Sequence, residues 1–181
     1  MADDKNEVIL GSGKLYILLF TGGTMPDDTV IEADGNNVGR IQGGASIDYK
    51  PTTYDVIDDD NYVVERVITK EEVDFKSGIL TWNMANLNKL SPATLSDDAE
   101  KHEKILKIGG KTTLDSYVIR FVHTKKDGNK LRVTMLGNAT SGFTLTFNPD
   151  KETVVDAQFV ALSQDDGTLV EIRDQYTPAG A

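Results

Sequence analysis

Residues 49–75 read YKPTTYDVIDDDNYVVERVITKEEVDF, two runs rich in Tyr, Thr, Val and Ile separated by Asp58-Asp59-Asp60-Asn61. β-Branched and aromatic residues favour strands, whereas Asp and Asn favour turns, so the stretch predicts a β-hairpin with the aspartates at its tip. Outward from there, the first arm begins at Gly43, and Ala45, Ile47, Tyr49 and Pro51 share one parity, as a single buried face requires. The second arm starts at Tyr62, and the hairpin as a whole spans residues 43–76. At about 3.3 Å per residue, arms of about twelve residues reach on the order of 40 Å, more than a domain of this size needs to cross its own core. The tip is therefore expected to project.

Near that tip, Val56 and Ile57 on one arm and Val63, Val64, Val67 and Ile68 on the other put apolar groups on both faces. Left in solvent, such a hairpin is marginally stable and adhesive along its edge. Coverage by another protein chain resolves this better than folding back onto its own domain, which makes the hairpin an assembly element. Together with Tyr54, Asp58, Asp59, Asp60 and Tyr62, these apolar residues form the expected subunit interface.

The rest of the chain reads as one mainly β domain over its 181 residues, a length that one core can serve. Leu15 to Phe20 predicts a first strand, closed by a loop from Gly22 to Asp28. Leu80, Met84 and Leu87 fall at helical spacing, so one short helix is expected over 81–90, with Thr81 as its N-cap and Pro92 just beyond. Tyr117 to Thr124 alternates, then Lys126-Asp127-Gly128-Asn129 signals a hairpin turn into Leu131, Val133 and Met135. Strands are also expected over Phe143, Leu145 and Phe147, over Val154 to Leu162, and over Leu169 to Ile172. Residues 1–10 and 174–181 are expected to be flexible.

Composition narrows the chemistry. With 19 Lys plus Arg against 29 Asp plus Glu, the net charge is −10, which argues against a surface that wraps phosphate backbones. The chain has no Cys, so disulfides, thiolate nucleophiles and Cys-based metal sites are ruled out. The start, MADDKNEVILGSGKLYILLF, is acidic ahead of its apolar run, unlike a secretory leader. That run is six residues, far short of the roughly 20 a membrane helix needs, and no membrane partner is expected.

Catalytic motifs fail one by one. Gly11-Ser12-Gly13-Lys14 lacks both the upstream Gly and the following hydroxyl of a phosphate loop, having Val8 and Leu15 there. His102-Glu103 has Leu106 where a second zinc-binding His would stand, so a solvated charge run is expected. Ser141-Gly142 has Ala139 in place of the first Gly of a nucleophile elbow. Asp58 to Asn61 lacks the alternation, central Gly and distal Glu of a calcium loop and reads as a polar turn. His123 shares the parity of Ile119 and Phe121 and reads as a core-edge residue. No metal, cofactor or catalytic residue is expected.

Four stretches in order, Gly11-Ser12-Gly13-Lys14-Leu15-Tyr16-Ile17, Gly43-Gly44-Ala45-Ser46-Ile47-Asp48-Tyr49, Gly78-Ile79-Leu80-Thr81-Trp82-Asn83 and Val154 to Leu162, resemble the major tail tube proteins of long-tailed bacteriophages. The similarity runs from about residue 8 to residue 173. It implies a β-sandwich or half-barrel subunit with a flanking helix, whose strands join those of neighbours in an intersubunit β-barrel. Such subunits close into hexameric rings that stack into the tube through which viral DNA leaves the capsid. Related tubes serve contractile tails, tailocins and injection machines. The resemblance implies a virion tail component assembled in the cytoplasm of a bacterial host. Its partners would be sister subunits, tape measure, tail completion or baseplate proteins, and double-stranded DNA passing without specific binding. Asp48, Thr69 and Glu71 are the candidates for the channel lining, because a passage for a polyanion should avoid exposed Lys and Arg clusters. The rival readings are a monomeric β-sandwich binding module, for instance for carbohydrate, stacking sugars on Trp82, Tyr54 and Tyr62, and a hydrolase with paired carboxylates.

Overall fold

The computed structural model describes residues 13–177. Residues 1–10 and 178–181 of the ends expected to be flexible lie outside the described residues, as do Gly11 and Ser12, whereas Asp174 closes the last strand. The elements run β1 (Lys14–Phe20), α1 (Asp28–Ile31), a 3-10 turn (Asp34–Asn36), β2 (Ile41–Ile57), β3 (Val63–Ile79), α2 (Met84–Lys89), β4 (Ala93–Asp98) and β5 (Glu103–Ile108). They continue with β6 (Ser116–Thr124), β7 (Lys130–Ala139), β8 (Val155–Ala161) and β9 (Val170–Asp174). The protein is mainly β, as the alternating patterns predict.

Seven strands form one antiparallel sheet in the order β1-β6-β7-β8-β3-β2, with β9 also paired to β7, while β4 and β5 pair separately. β7 gives one edge to β6 over Lys130–Gly137 and shares the other between β9, at Leu131–Met135, and β8, at Gly137–Ala139. Leu15, Ile17, Tyr117, Ile119 and Met135 join Val73, Phe75, Ile79, Val155, Ala157 and Phe159 in the main core, roofed by Leu87 and Leu90. Each large side chain fully withdrawn from water there contributes about 1.5–3 kcal/mol. Tyr16, Val118, Val122 and Leu136 project from the opposite face and pack with Ile31 of α1. With both faces covered, β6 loses the simple in-out alternation and is buried almost throughout, His123 included.

Several expectations are corrected. Among the described residues there are two short helices, not one: the loop read from Gly22 to Asp28 ends in α1, which seals the second face. α2 starts at Met84, not near Thr81, and its cap is Asn83, whose Oδ1 accepts from the Asn86 backbone N–H at 2.7 Å. The Thr81 hydroxyl is already committed as acceptor of the Arg40 N–H at 2.7 Å. Phe143, Leu145 and Phe147 form no strand. Their alternation is sound, but a strand needs a ladder, and both edges of β7 are already taken. β4 and β5 escaped prediction because ATLSDD and EKILKI alternate weakly and bury only Ala93 fully. Among the described residues, no helix is long and apolar enough to cross a membrane.

Candidate assembly surface

The hairpin of β2 and β3 is paired from Ile41↔Ile79 to Ile57↔Val63, within a few residues of the predicted arms. Its base belongs to the sheet, since β3 also pairs with β8 over Asp74–Ile79. At the root, Gly43 and Gly44 adopt φ of 79° and 73°, a left-handed pair that only glycine holds without strain, and they bulge out between Gln42 and Ala45. The Ser77 hydroxyl donates to the Gly44 carbonyl at 2.8 Å and fixes the bulge to the opposite strand.

Beyond the root the arm leaves the core. β3 alternates between buried and half-buried only from Val73 onward, and from Tyr49 through Glu71 every residue except Asp55 is exposed. The tip is a tight turn in which Asp58 Oδ1 accepts from the backbone N–H groups of Asp60 (3.0 Å) and Tyr62 (2.8 Å), with Asn61 at φ 66°. The polar-turn reading of the aspartates thus has a concrete geometry: Asp58 is occupied by its own backbone, while Asp59 and Asp60 extend into solvent.

The register brings Tyr54 opposite Val67 on one face of the arm, while Ile68, opposite Thr53, belongs to the other, and Val64 is the unpaired residue of a further bulge between Val56 and Ile57. Exposure of the apolar side chains is high: 64% for Tyr54, 70% for Tyr62, 61% for Val64 and 54% for Ile68. Val56, Ile57, Val63 and Val67 are exposed as well. Each predicted interface residue therefore lies on this arm or its tip, and the apolar ones among them are distributed over both faces. The Arg66 guanidinium, bidentate to Asp55 at 2.6 and 3.0 Å, spans the arm between them.

The three residues proposed for a channel lining do not share one face. Asp48 lies opposite Asp74, on the side of the sheet turned away from the core. Glu71 lies opposite Pro51 with the parity of Val73 and Phe75, on the core side, and accepts from the Tyr49 hydroxyl at 2.6 Å. Thr69 is the unpaired residue of a second bulge and donates its hydroxyl to the Thr52 carbonyl at 3.1 Å. Period-two alternation assigns faces only while the register is continuous, and the bulge at Thr52/Thr53 interrupts it.

The side carrying Asp48 has a distinct chemistry. Ser46, Asp48, Lys50, Lys70, Glu72, Asp74, Lys76 and Gln158 share it, and its three lysines are all paired. Lys50 Nζ lies 2.8 Å from Asp74, Lys76 Nζ 3.2 Å from Asp48, and Lys70 Nζ 3.0 Å from Glu72. The Lys50 hydrogen bond, helped by the charges of Lys50 and Lys76, holds the Asp74 carboxyl below its ordinary range, and Asp74 in turn raises Lys50. The face is polar and close to neutral, with no lysine left to seize a passing anion.

A charged cluster that sequence reasoning missed lies under α1. Arg120 is 2% exposed and donates through one terminal nitrogen to Asp28 (2.9 Å) and Glu32 (3.2 Å). Glu32 also accepts from Arg132 Nε at 2.6 Å and pairs with Lys130, and Arg173 of β9 closes the ring on Asp28. The Arg173 hydrogen bond is the main reason that the Asp28 carboxyl falls from 3.8 to about 2. Burial pushes Glu32 upward, but Arg132 and Lys130 outweigh it and its pKa is lowered. A signal was present: Asp28 and Glu32 at i, i+4, and one arginine amid the valines of β6. The cluster ties α1 to β6, β7 and β9 and so stiffens the body from which the arm extends.

The aromatic residues of the sugar-binding alternative are not gathered. Trp82 packs edge-on against Phe147, ring centroids 6.2 Å apart, whereas Tyr54 and Tyr62 lie on the arm. No known protein-family model matches the chain, and a search of curated proteins finds no match.

Proposed function

We propose that this chain is a structural subunit of a phage-type tail tube, built from hexameric rings that stack around a DNA-conducting channel. The observation that carries the reading is the arm: a hairpin rooted in the main sheet whose outer half shows valine, isoleucine and tyrosine to solvent on both faces. Such a surface is wasteful in a monomer and apt for burial between copies. Among the described residues, the outer strands of the sheet are β1 and β2, and the 17-residue β2 has no neighbour beyond β3. Joining β2 to a strand of the next subunit would remove that edge and generate the shared barrel wall of a half-barrel subunit.

In this reading the channel lining is the polar side of β2, β3 and β8, with Asp48 on it and Glu71 turned toward the body. Function is then mechanical and electrostatic. DNA phosphates meet lysines already neutralised by Asp48, Glu72 and Asp74, so no counterion release rewards sticking. Tape measure, completion and baseplate proteins would engage the tube ends, in a virion tail assembled in the bacterial cytoplasm.

Light scattering and negative-stain microscopy of the purified chain at rising concentration test the reading. Rings or tubes, with masses at multiples of the 19.8 kDa subunit, are expected. A species that stays at 19.8 kDa at every concentration, with no ring or filament on the grid, would overturn it.

A further inference from the structure

The tip of the arm and the β5 region carry opposite charge. Residues 55–65 hold Asp55, Asp58, Asp59, Asp60 and Glu65 with no lysine or arginine, and Asp59, Asp60 and Glu65 form no ion pair among the described residues. In a chain of net charge −10, residues 101–111 hold Lys101, Lys104, Lys107 and Lys111 against the single acid Glu103. All four lysines are exposed. Lys101 and Lys111 make surface pairs with Asp98 (3.6 Å) and Asp115 (3.3 Å), while Lys104 and Lys107 make none among the described residues.

Apolar character matches as well. Just past Lys107, Ile108 is 62% exposed, and Leu114, beyond the Gly109-Gly110 turn, is 45% exposed. Among the described residues, β5 pairs only with β4, which leaves its other edge open. The tip is acidic with flanking Tyr62, Val63 and Val64, and the β5 end is basic with flanking Ile108 and Leu114. Within one chain the two regions lie in different sheets and exchange no ion pair.

Resting on the assembly reading above, we infer that the arm tip of one subunit docks on the end of β5 of a second copy, Asp59 and Asp60 facing Lys107 and Lys111 while Tyr62 and Val63 cover Ile108 and Leu114. The contact is head-to-tail, because donor and acceptor are different patches. Such a contact propagates from copy to copy instead of closing a pair. Its charged part is exposed and therefore weakens with salt.

A charge-swap series tests this. Asp59 and Asp60 can be replaced without dismantling the turn, since only Asp58 lends it a side chain. The full chain carrying D59K/D60K, or the one carrying K107E/K111E, is expected to assemble at least about tenfold more slowly in 50 mM salt, as a change of charge sign across a rim slows association. The chain carrying all four changes should return to within about twofold of the parent. As an independent readout, the chain has no cysteine, so chains bearing D60C and K107C can be mixed and linked with a short bis-maleimide. The mixed D60C–K107C product should outweigh both self-linked products. If the parent forms rings or tubes, but the half-swapped chains assemble like it, the fourfold swap fails to rescue, or self-linked products dominate, the docking is wrong and the assembly reading stands. A parent that forms no assembly at all overturns both.

Discussion

Replacing Val63 and Val64 together by Asp separates folding from assembly. The two residues are 51% and 61% exposed, so about half of each side chain remains to be covered by a partner. Complete burial of a valine contributes about 1.5 kcal/mol, which leaves about 0.8 kcal/mol per residue for assembly and about 1.6 kcal/mol per subunit. The substituted chain loses that contribution and must in addition desolvate a carboxylate at each site, at a cost of at least about 1 kcal/mol apiece. The sum, about 3.6 kcal/mol, weakens each subunit contact several hundredfold at 1.4 kcal/mol per decade. In the monomer both sites face water, where a surface substitution changes stability by about 0.5 kcal/mol, so the melting temperature should move by no more than about 4 °C. Circular dichroism would follow folding, and size-exclusion chromatography with light scattering followed by microscopy would follow assembly. V63T/V64T, which keeps β-branching without charge, should fall between the parent and the Asp pair. Full-length tubes from V63D/V64D, or a chain that no longer folds, would refute the reasoning.

Two further outcomes follow from the ion pairs. Asp28 has its carboxyl depressed to about 2 in the folded chain against an ordinary 3.8, so its contribution to stability is fully present above about pH 4 and is lost as the pH falls through 2. The difference in melting temperature between parent and D28N should therefore shrink across that window, modestly because the side chain is 37% exposed, and a gap that stays constant from pH 5 to pH 2 would contradict the Arg173 and Arg120 clamp. D74N releases Lys50 and loosens Lys76 on the polar face of β3, so assembled particles of this variant should retain double-stranded DNA more strongly at low salt, with a steeper salt dependence than the parent. Unchanged retention in a fluorescence-anisotropy titration would remove that face from the channel.

The arm was legible because its information is local: β-branched and aromatic residues on both sides of an Asp-Asn turn specify a hairpin without reference to the rest of the chain. The same holds for β1 and for the β6–β7 hairpin across Lys125–Asn129, where Gly128 at φ 88° supplies the turn. What stayed hidden was decided at a distance. Whether Phe143 to Phe147 becomes a strand depends on a vacant edge of β7, and whether Thr81 caps a helix depends on Arg40, 41 residues away. α1 is four residues long and owes its place to Ile31 and to arginines on three strands rather than to its own propensity. For the candidate site, the exposed apolar residues could be read as a set, but the side occupied by Asp48, Thr69 and Glu71 could not. Those sides are set by the pairing register, which places Asp48 against Asp74 and Glu71 against Pro51, and by the bulge that leaves Thr69 unpaired.

The end of the β8 ladder has a mechanical corollary. β3 is held to β8 as far as Asp74, opposite Asp48, so the free length of the arm runs from Tyr49 to Ile57, about 26 Å at 3.3 Å per residue, and a change of ten degrees where it leaves the sheet sweeps the far end through roughly 5 Å. A two-stranded ribbon can absorb such a swing while Phe75, Phe159 and the rest of the interior keep their packing. If copies of this chain assemble through the arm, a filament of them can curve by re-aiming its levers, leaving the bodies rigid.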